Sequence, residues 1–418
     1  MNKTRSPGEP EAFGAAPHER QVPRISIHAF CEFPDTGAAL QRAGADRRLA
    51  KANLTVQLGG IAGAIEHYAG QVTPNLLIVE TRLAGQQALE DLDRLAEVCD
   101  PTTKVVVIGR VNDVELYREL MRRGAAEYLV APLDPMHLIE VIAGLYSDPE
   151  GRPIGRVIAF VGARGGVGSS TLAHNVAWCI AEEQHISTTI VDLDLPFGTV
   201  GLDFNDEPGQ GVADALLAPE RLDDVLLERL LMKRGDYLSL FAAPATLERD
   251  YDAGLDAYES VLDAVRQITP CVIVDLPHHW APWVKATLIG ADDIVVVAAP
   301  DLASLRNAKN LTELLKHNRP NDTVPKLVLN QVGQPKRPEI PVKDFAETIG
   351  AAPALVLGFD PFLFGQAANN GQMLAELQPK SPTANAVRGL AGLLTGRKQA
   401  SERSGASFLS LLKGKKRA

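Results

Sequence analysis

From residue 24 onward the chain alternates short apolar runs with amphipathic stretches. "NLLIVE" (75–80) and "KVVVIG" (104–109) are continuous apolar runs of strand length, as expected of strands buried on both faces. "DVELYRELMRRG" (113–124) spaces its apolar residues as an amphipathic helix that closes on Gly124, and "AEYLVAPLD" follows as a further strand. A second series opens at "RVIAFVG". It continues through "STTIVDLDL" (187–195), "YLSLFAAP" (237–244), "CVIVDLP" (271–277), "DIVVVAAP" (293–300), "KLVLNQV" (326–332) and "ALVLGFD" (354–360), most of them separated by long helical stretches. Strands alternating with helices predict parallel sheets covered on both faces, so the expected fold class is α/β, with two such domains. The expected boundaries are a disordered Pro/Gly/charge-rich start over 1–23, a first domain over 24–148, a linker over 149–155, a second domain over 156–398 and a basic tail over 399–418.

Composition sharpens this picture. A length of 418 residues exceeds one ordinary core, and an apolar content of 45% with only 5% aromatic suits parallel α/β sheets. The net charge of −10 argues against nucleic acid as a partner, because positive charge gathers only at the end, in "LLKGKKRA". Cys31, Cys99, Cys179 and Cys271 are widely spaced and read as buried thiols of a reducing compartment. No apolar stretch approaches the ~20 residues of a membrane span. The expected location is cytoplasmic, with any membrane contact peripheral.

The candidate chemistry starts at "VGARGGVGSST" (161–171), which sits between a strand and a helix. Gly165, Gly166 and Gly168 let backbone N–H groups close around phosphate oxygens at a helix N-terminus, and Ser170 stands where a hydroxyl would coordinate Mg2+. "VDLDLPFG" ends one strand with Asp192 and Asp194 pointing the same way, and "VIVDLP" ends another with Asp275. Ligands of open parallel sheets lie at the carboxyl ends of strands, so these three carboxylates are expected beside the loop, holding Mg2+ and orienting water.

These strings, with "VDLDLPFGTVGLDF", "DLASLRNAKNL" and "FDPFLFGQAANNGQML", resemble the MinD/ParA class of deviant-Walker ATPases over about 155–395. Within that class they resemble the CpaE/TadZ branch, which serves assembly of tight-adherence (Flp-type) pili. The resemblance implies an ATP and Mg2+ site formed by Gly165, Gly166, Val167, Gly168, Ser169, Ser170 and Thr171, with Asn330 set against adenine. It places Arg164 at the signature lysine that reaches a dimer partner's phosphates and Ser169 at the loop lysine. Ser170, Asp192 and Asp275 fall near the metal, and Asp194 at the acid that positions water. Ala163 and Ser169 depart from the pattern. Losing a charge-assisted contact costs ~1.5–3 kcal/mol, so the expectation is an ATP binder with slow or absent hydrolysis, working as a homodimer with pilus secretion proteins. The rival is an active ATPase of the same class cycling between a membrane or DNA surface and the cytosol.

Residues 24–148 resemble a response-regulator receiver, a flavodoxin-like fold, most closely in "RRGAAEYLVAPLD". The receiver chemistry is not carried over. "SIHAFCE" offers no acidic pair, Glu80 stands at the phosphoacceptor and Ala131 at the lysine, so a pseudo-receiver for docking or dimerisation is expected, with control by phosphorylation the weaker rival. In "SFLSLLKGKKRA", Phe408, Leu409, Leu411 and Leu412 share a helical face ahead of Lys413, Lys415, Lys416 and Arg417. That stretch resembles the membrane-targeting helix of MinD-type proteins, with a solvated tail as the equal alternative.

Overall fold

The computed structural model describes residues 21–83, 85–146, 154–206, 209–248, 251 and 253–397. The expected tail over 399–418 and nearly all of the expected disordered start lie outside the described residues.

Five strands, β1 (Ser26–Cys31), β2 (Asn53–Leu58), β3 (Leu76–Glu80), β4 (Lys104–Gly109) and β5 (Glu127–Val130), make an all-parallel sheet in the order β2-β1-β3-β4-β5. Eight more follow: β6 (Arg156–Gly162), β7 (Thr188–Asp192), β8 (Met232–Arg234), β9 (Leu238–Phe241), β10 (Cys271–Leu276), β11 (Asp293–Ala298), β12 (Lys326–Val332) and β13 (Leu355–Gly358). They form a second sheet in the order β13-β12-β11-β6-β10-β7-β9-β8, parallel except where β8 pairs antiparallel with β9 at the edge. The α/β class with two parallel sheets is therefore what the chain adopts.

Pleating explains the apolar runs. Along β6, Val157, Ala159 and Val161 enter one core while Ile158 and Phe160 enter the other, so both faces of the strand are dry. The hydrophobic pattern did not mark β2 and β8. β2, "NLTVQL", is a half-exposed edge strand whose apolar residues alternate with polar ones, and β8 has three residues. Burial pushes the thiols of Cys31, Cys179 and Cys271 up to about 12, which leaves them unreactive, while Cys99 is only half-buried. No helix among the described residues is long and apolar enough to cross a membrane.

The two sheets are joined by a buried charge network. Arg47 Nε donates to Asp322 Oδ2 at 2.6 Å, Arg48 pairs with the other Asp322 oxygen, and Arg319 Nε closes on Asp322 at 2.8 Å. Asn321 Nδ2 donates to Asp46 at 2.9 Å, and Arg47 also donates to the Gly290 carbonyl at 3.2 Å. A cavity of about 600 Å³ opens at the same junction beside the Lys51–Asp263 pair.

Candidate functional site

Strand order builds the site. β6, β10 and β7 are neighbours, so the loop leaving β6, the end of β10 and the end of β7 meet at one edge. Asp275 and Asp192 are Cα partners in the β10–β7 register, which sets the two carboxylates side by side.

The loop is anchored through its carbonyls. His278 Nδ1 lies 3.1 Å from the Gly162 oxygen, and Asn307 Nδ2 donates to Ala163 at 2.8 Å. Gln331 Nε2 donates to Gly166 at 2.9 Å, and Asn330 Nδ2 donates to Val167 at 2.8 Å. A planar peptide fixes each N–H opposite its carbonyl, so tying these oxygens back also sets where the amides point. Gly168 caps the helix Ser169–Trp178 at φ 86°, ψ 31°, and a Cβ there would stand 2.7 Å from Asn330 Nδ2, so only glycine fits.

Arg164 is half-exposed and pairs with Asp301 in its own chain, Nε to Oδ2 at 3.1 Å. Burial alone would raise the Asp301 carboxyl. The Ser304 N–H and Arg164 outweigh that effect and hold it below the ordinary aspartate range. Ser169 Oγ is buried with no hydrogen-bond partner, at the position the resemblance gives to a lysine. Beside the loop, Gly166, Gly168, Thr171, Asn330, Phe359 and Pro361 line a cavity of about 320 Å³. Asn330 thus faces this cavity while its Oδ1 accepts from Gln331 N and its Nδ2 is committed to the loop.

Asp192 is fully buried. Its oxygens accept from Asp194 N at 3.1 Å and Val200 N at 3.3 Å, which pins the turn 193–200 over the site. Burial first, and then Asp275, push its carboxyl well above the usual range, with His174 opposing. Asp194 is half-buried, accepts from Phe197 N at 3.3 Å and is raised mainly by burial. Asp275 Oδ1 is buried without a partner, while its Oδ2 lies 3.5 Å from His174 Nε2.

His174 is the residue that sequence reasoning missed. It lies in a buried helical run with Leu172, Ala173, Asn175, Val176 and Ala177, and a histidine inside such a run is the local signal of it. Its ring is fully buried, with Nδ1 2.7 Å from Asp203 Oδ2. Burial would lower its pKa, but Asp203 and Asp275 raise it to about 10. A buried acidic pair with an unpartnered carboxylate oxygen fits the oxygen donors that Mg2+ takes.

In the five-stranded sheet the corresponding pocket is filled from within. Glu80 accepts from Glu32 N at 2.8 Å, Phe33 N at 3.0 Å and Thr36 Oγ1 at 2.8 Å. Arg110 stands 3.8 Å away and stacks on Phe33, and Glu32 pairs with Arg82. No oxygen of Glu80 is left facing solvent.

No protein-family model matches the chain. The solved ParA family ATPase from Chlorobium tepidum is 26% identical, covering 56% of this chain and 98% of that one with a TM-score of 0.52. The septum site-determining protein MinD of Bacillus subtilis is 25% identical over 253 residues, 58% of this chain and 90% of that protein. Fold and loop together therefore define a P-loop protein of the MinD/ParA class. A pilus assembly protein CpaE from Caulobacter crescentus, solved by crystallography, is 51% identical, covering 31% of this chain and 98% of that one with a TM-score of 0.30. Over that third of its length the chain is thus similar in sequence to a CpaE pilus assembly protein.

Proposed function

We propose that the protein is an ATP-binding localisation and scaffold factor for assembly of a tight-adherence (Flp-type) pilus. In this reading, ATP links two copies into a homodimer and is hydrolysed slowly or not at all. The observation that carries it is Ser169: the amide cradle is fully braced, yet a buried, unpartnered hydroxyl stands where the loop ammonium would be. Phosphates would be held by the amides of Gly165, Gly166, Val167, Gly168, Ser169, Ser170 and Thr171. The base would lie in the cavity beside Asn330. Ser170, Asp192 and Asp275 would hold Mg2+, which neutralises phosphate charge when bound. Binding survives loss of the lysine because these contacts remain. Hydrolysis suffers more, since that charge counts most where negative charge develops.

Arg164 supports ATP-linked dimerisation, because its partners among the described residues, Asp301 and the Gly165 carbonyl, leave it half-exposed with a fork that suits phosphate. The glutamate-filled pocket of the first sheet supports docking in place of phosphorylation. The pilus secretion proteins are the proposed partners. Calorimetry of ATP with Mg2+, together with a steady-state ATPase assay, tests the reading: binding with little turnover is expected, and ordinary turnover would favour the cycling ATPase, for which Asp194 stands ready.

A further inference from the structure

We propose that His174, Asp192 and Asp275 form a transition-metal site in which an imidazole nitrogen ligates beside two carboxylates, with Asp203 orienting the imidazole. His174 Nε2, Asp192 and Asp275 each offer a ligand atom, and the three atoms lie within 4.8 Å of one another, all on buried residues. Neither His174 Nε2 nor Asp275 Oδ1, both buried, makes a hydrogen bond, and Nε2 faces the other Asp275 oxygen at 3.5 Å. His174 Nδ1 is meanwhile engaged by Asp203 Oδ2 at 2.7 Å, and Thr199 Oγ1 steadies that same oxygen at 3.3 Å. A carboxylate on one imidazole nitrogen, with the other nitrogen aimed at a cluster of acids, is the arrangement that orients metal-bound histidines.

The distances are within reach of an ion. Nitrogen and oxygen donors lie about 2.0–2.2 Å from such metals, so neighbouring donors of a tetrahedral shell are ~3.4 Å apart. Donors as far apart as 4.8 Å therefore close by up to about 1.4 Å around the ion. Register fixes the two aspartates on adjacent strands, and the helix Ser169–Trp178 brings His174 beneath the loop. Gly198 lies so close above Asp192 that a Cβ there would stand 2.4 Å from Oδ2, which closes the site from the turn side. Charge also balances: two carboxylates offset a divalent cation.

The donor set decides the class of ion. Carboxylates alone suit Mg2+, whereas an imidazole beside two carboxylates favours Mn2+, Fe2+, Co2+ or Zn2+. This deepens the nucleotide-site reading, because the same carboxylates are involved, but the ion needs no nucleotide to bind. The test is therefore made on the full chain without ATP, stripped with chelator and titrated with Co2+. Visible absorption and X-ray absorption should show a single bound Co2+ with an imidazole and carboxylate oxygens in its shell. His174→Ala should lose it, and Asp203→Asn should weaken it about ten- to a hundredfold. Mg2+ should displace Co2+ only in large excess. Absence of bound Co2+, a shell lacking imidazole, or equal binding by His174→Ala (which would move the ion to the exposed His278 and His279) would overturn the proposal. If His174→Ala does not fold, the X-ray absorption of the unmutated chain decides alone. ATP binding without Co2+ binding refutes this site and leaves the nucleotide reading standing, and the reverse result does the opposite.

Discussion

Asn330 Nδ2 donates to the Val167 carbonyl at 2.8 Å and so ties β12 to the phosphate loop across 163 positions of sequence. With Gln331 bonded to Gly166 next to it, this strand end acts as the loop's outer brace. Asn330→Ala removes a buried hydrogen bond and strands a buried carbonyl, at a cost of ~1–3 kcal/mol. We expect a lower melting temperature and ATP affinity weakened by about tenfold or more by calorimetry. Unchanged affinity would show that the loop holds its shape without the brace.

Ser169 Oγ has no partner to lose. Ser169→Ala should therefore leave thermal stability unchanged or slightly higher, since removing an unsatisfied buried hydroxyl costs nothing. Ser169→Lys should tighten ATP by ~1.5–3 kcal/mol, the worth of a charge-assisted contact. Isothermal titration of both variants separates a spectator hydroxyl from a ligand: a large loss of ATP affinity in Ser169→Ala would make it a ligand.

Arg164 is held by Asp301 at 3.1 Å within its own chain. If it turns to a partner's phosphates, Arg164→Ala should reduce ATP-dependent dimerisation more than ATP binding, and Asp301→Ala should free it and raise the dimer fraction. Sedimentation with and without ATP, on the full chain and on residues 150–418, reads this. Identical dimer fractions for all three proteins would exclude the role.

Asp322 receives Arg47, Arg48 and Arg319 at the junction of the two sheets. Burial would raise its carboxyl, but the three guanidiniums bring it down to about 2. A carboxyl whose folded-state pKa is lowered stabilises the fold above its ordinary value, and that contribution is lost as pH falls toward about 2. A shift of this size is worth about 2.5 kcal/mol. Chemical denaturation should show stability falling between pH 5 and pH 2, and Asp322→Ala should lack this part of the fall. At neutral pH the variant should be ~3–5 kcal/mol less stable, because three arginines lose their shared anion. Equal acid sensitivity of both proteins would show that the network contributes little.

The tail over 404–418 carries Phe408, Leu409, Leu411 and Leu412 before four basic residues. At about 1 kcal/mol per basic side chain near an anionic surface, doubling the tail in a dimer should yield measurable binding. Vesicle co-sedimentation should rise with anionic lipid, fall with salt and vanish when 404–418 is deleted. Persistence after deletion would move the contact elsewhere.

The local pattern of the chain was enough to place most strands, the glycine-rich loop and the acids at the ends of β7 and β10. Periodicity, turn chemistry and strand-end position are properties of neighbours in sequence, so "NLLIVE", "VGARGGVGSST" and "VIVDLP" announce themselves. The weakly patterned edge strand β2 did not, because half of its surface faces solvent and its alternation serves only one face. Longer-range choices belong to tertiary structure. Asp203 reaches His174 across 29 positions, Asp322 reaches Arg47 across 275, and Asn330 reaches Val167 across 163. Each pairing follows from which elements pack together, and burial then decides its strength. The same aspartate that would be an ordinary exposed carboxylate in the unfolded chain becomes, as Asp192, a buried acid pressed by Asp275. As Asp322, three guanidiniums hold it ionised.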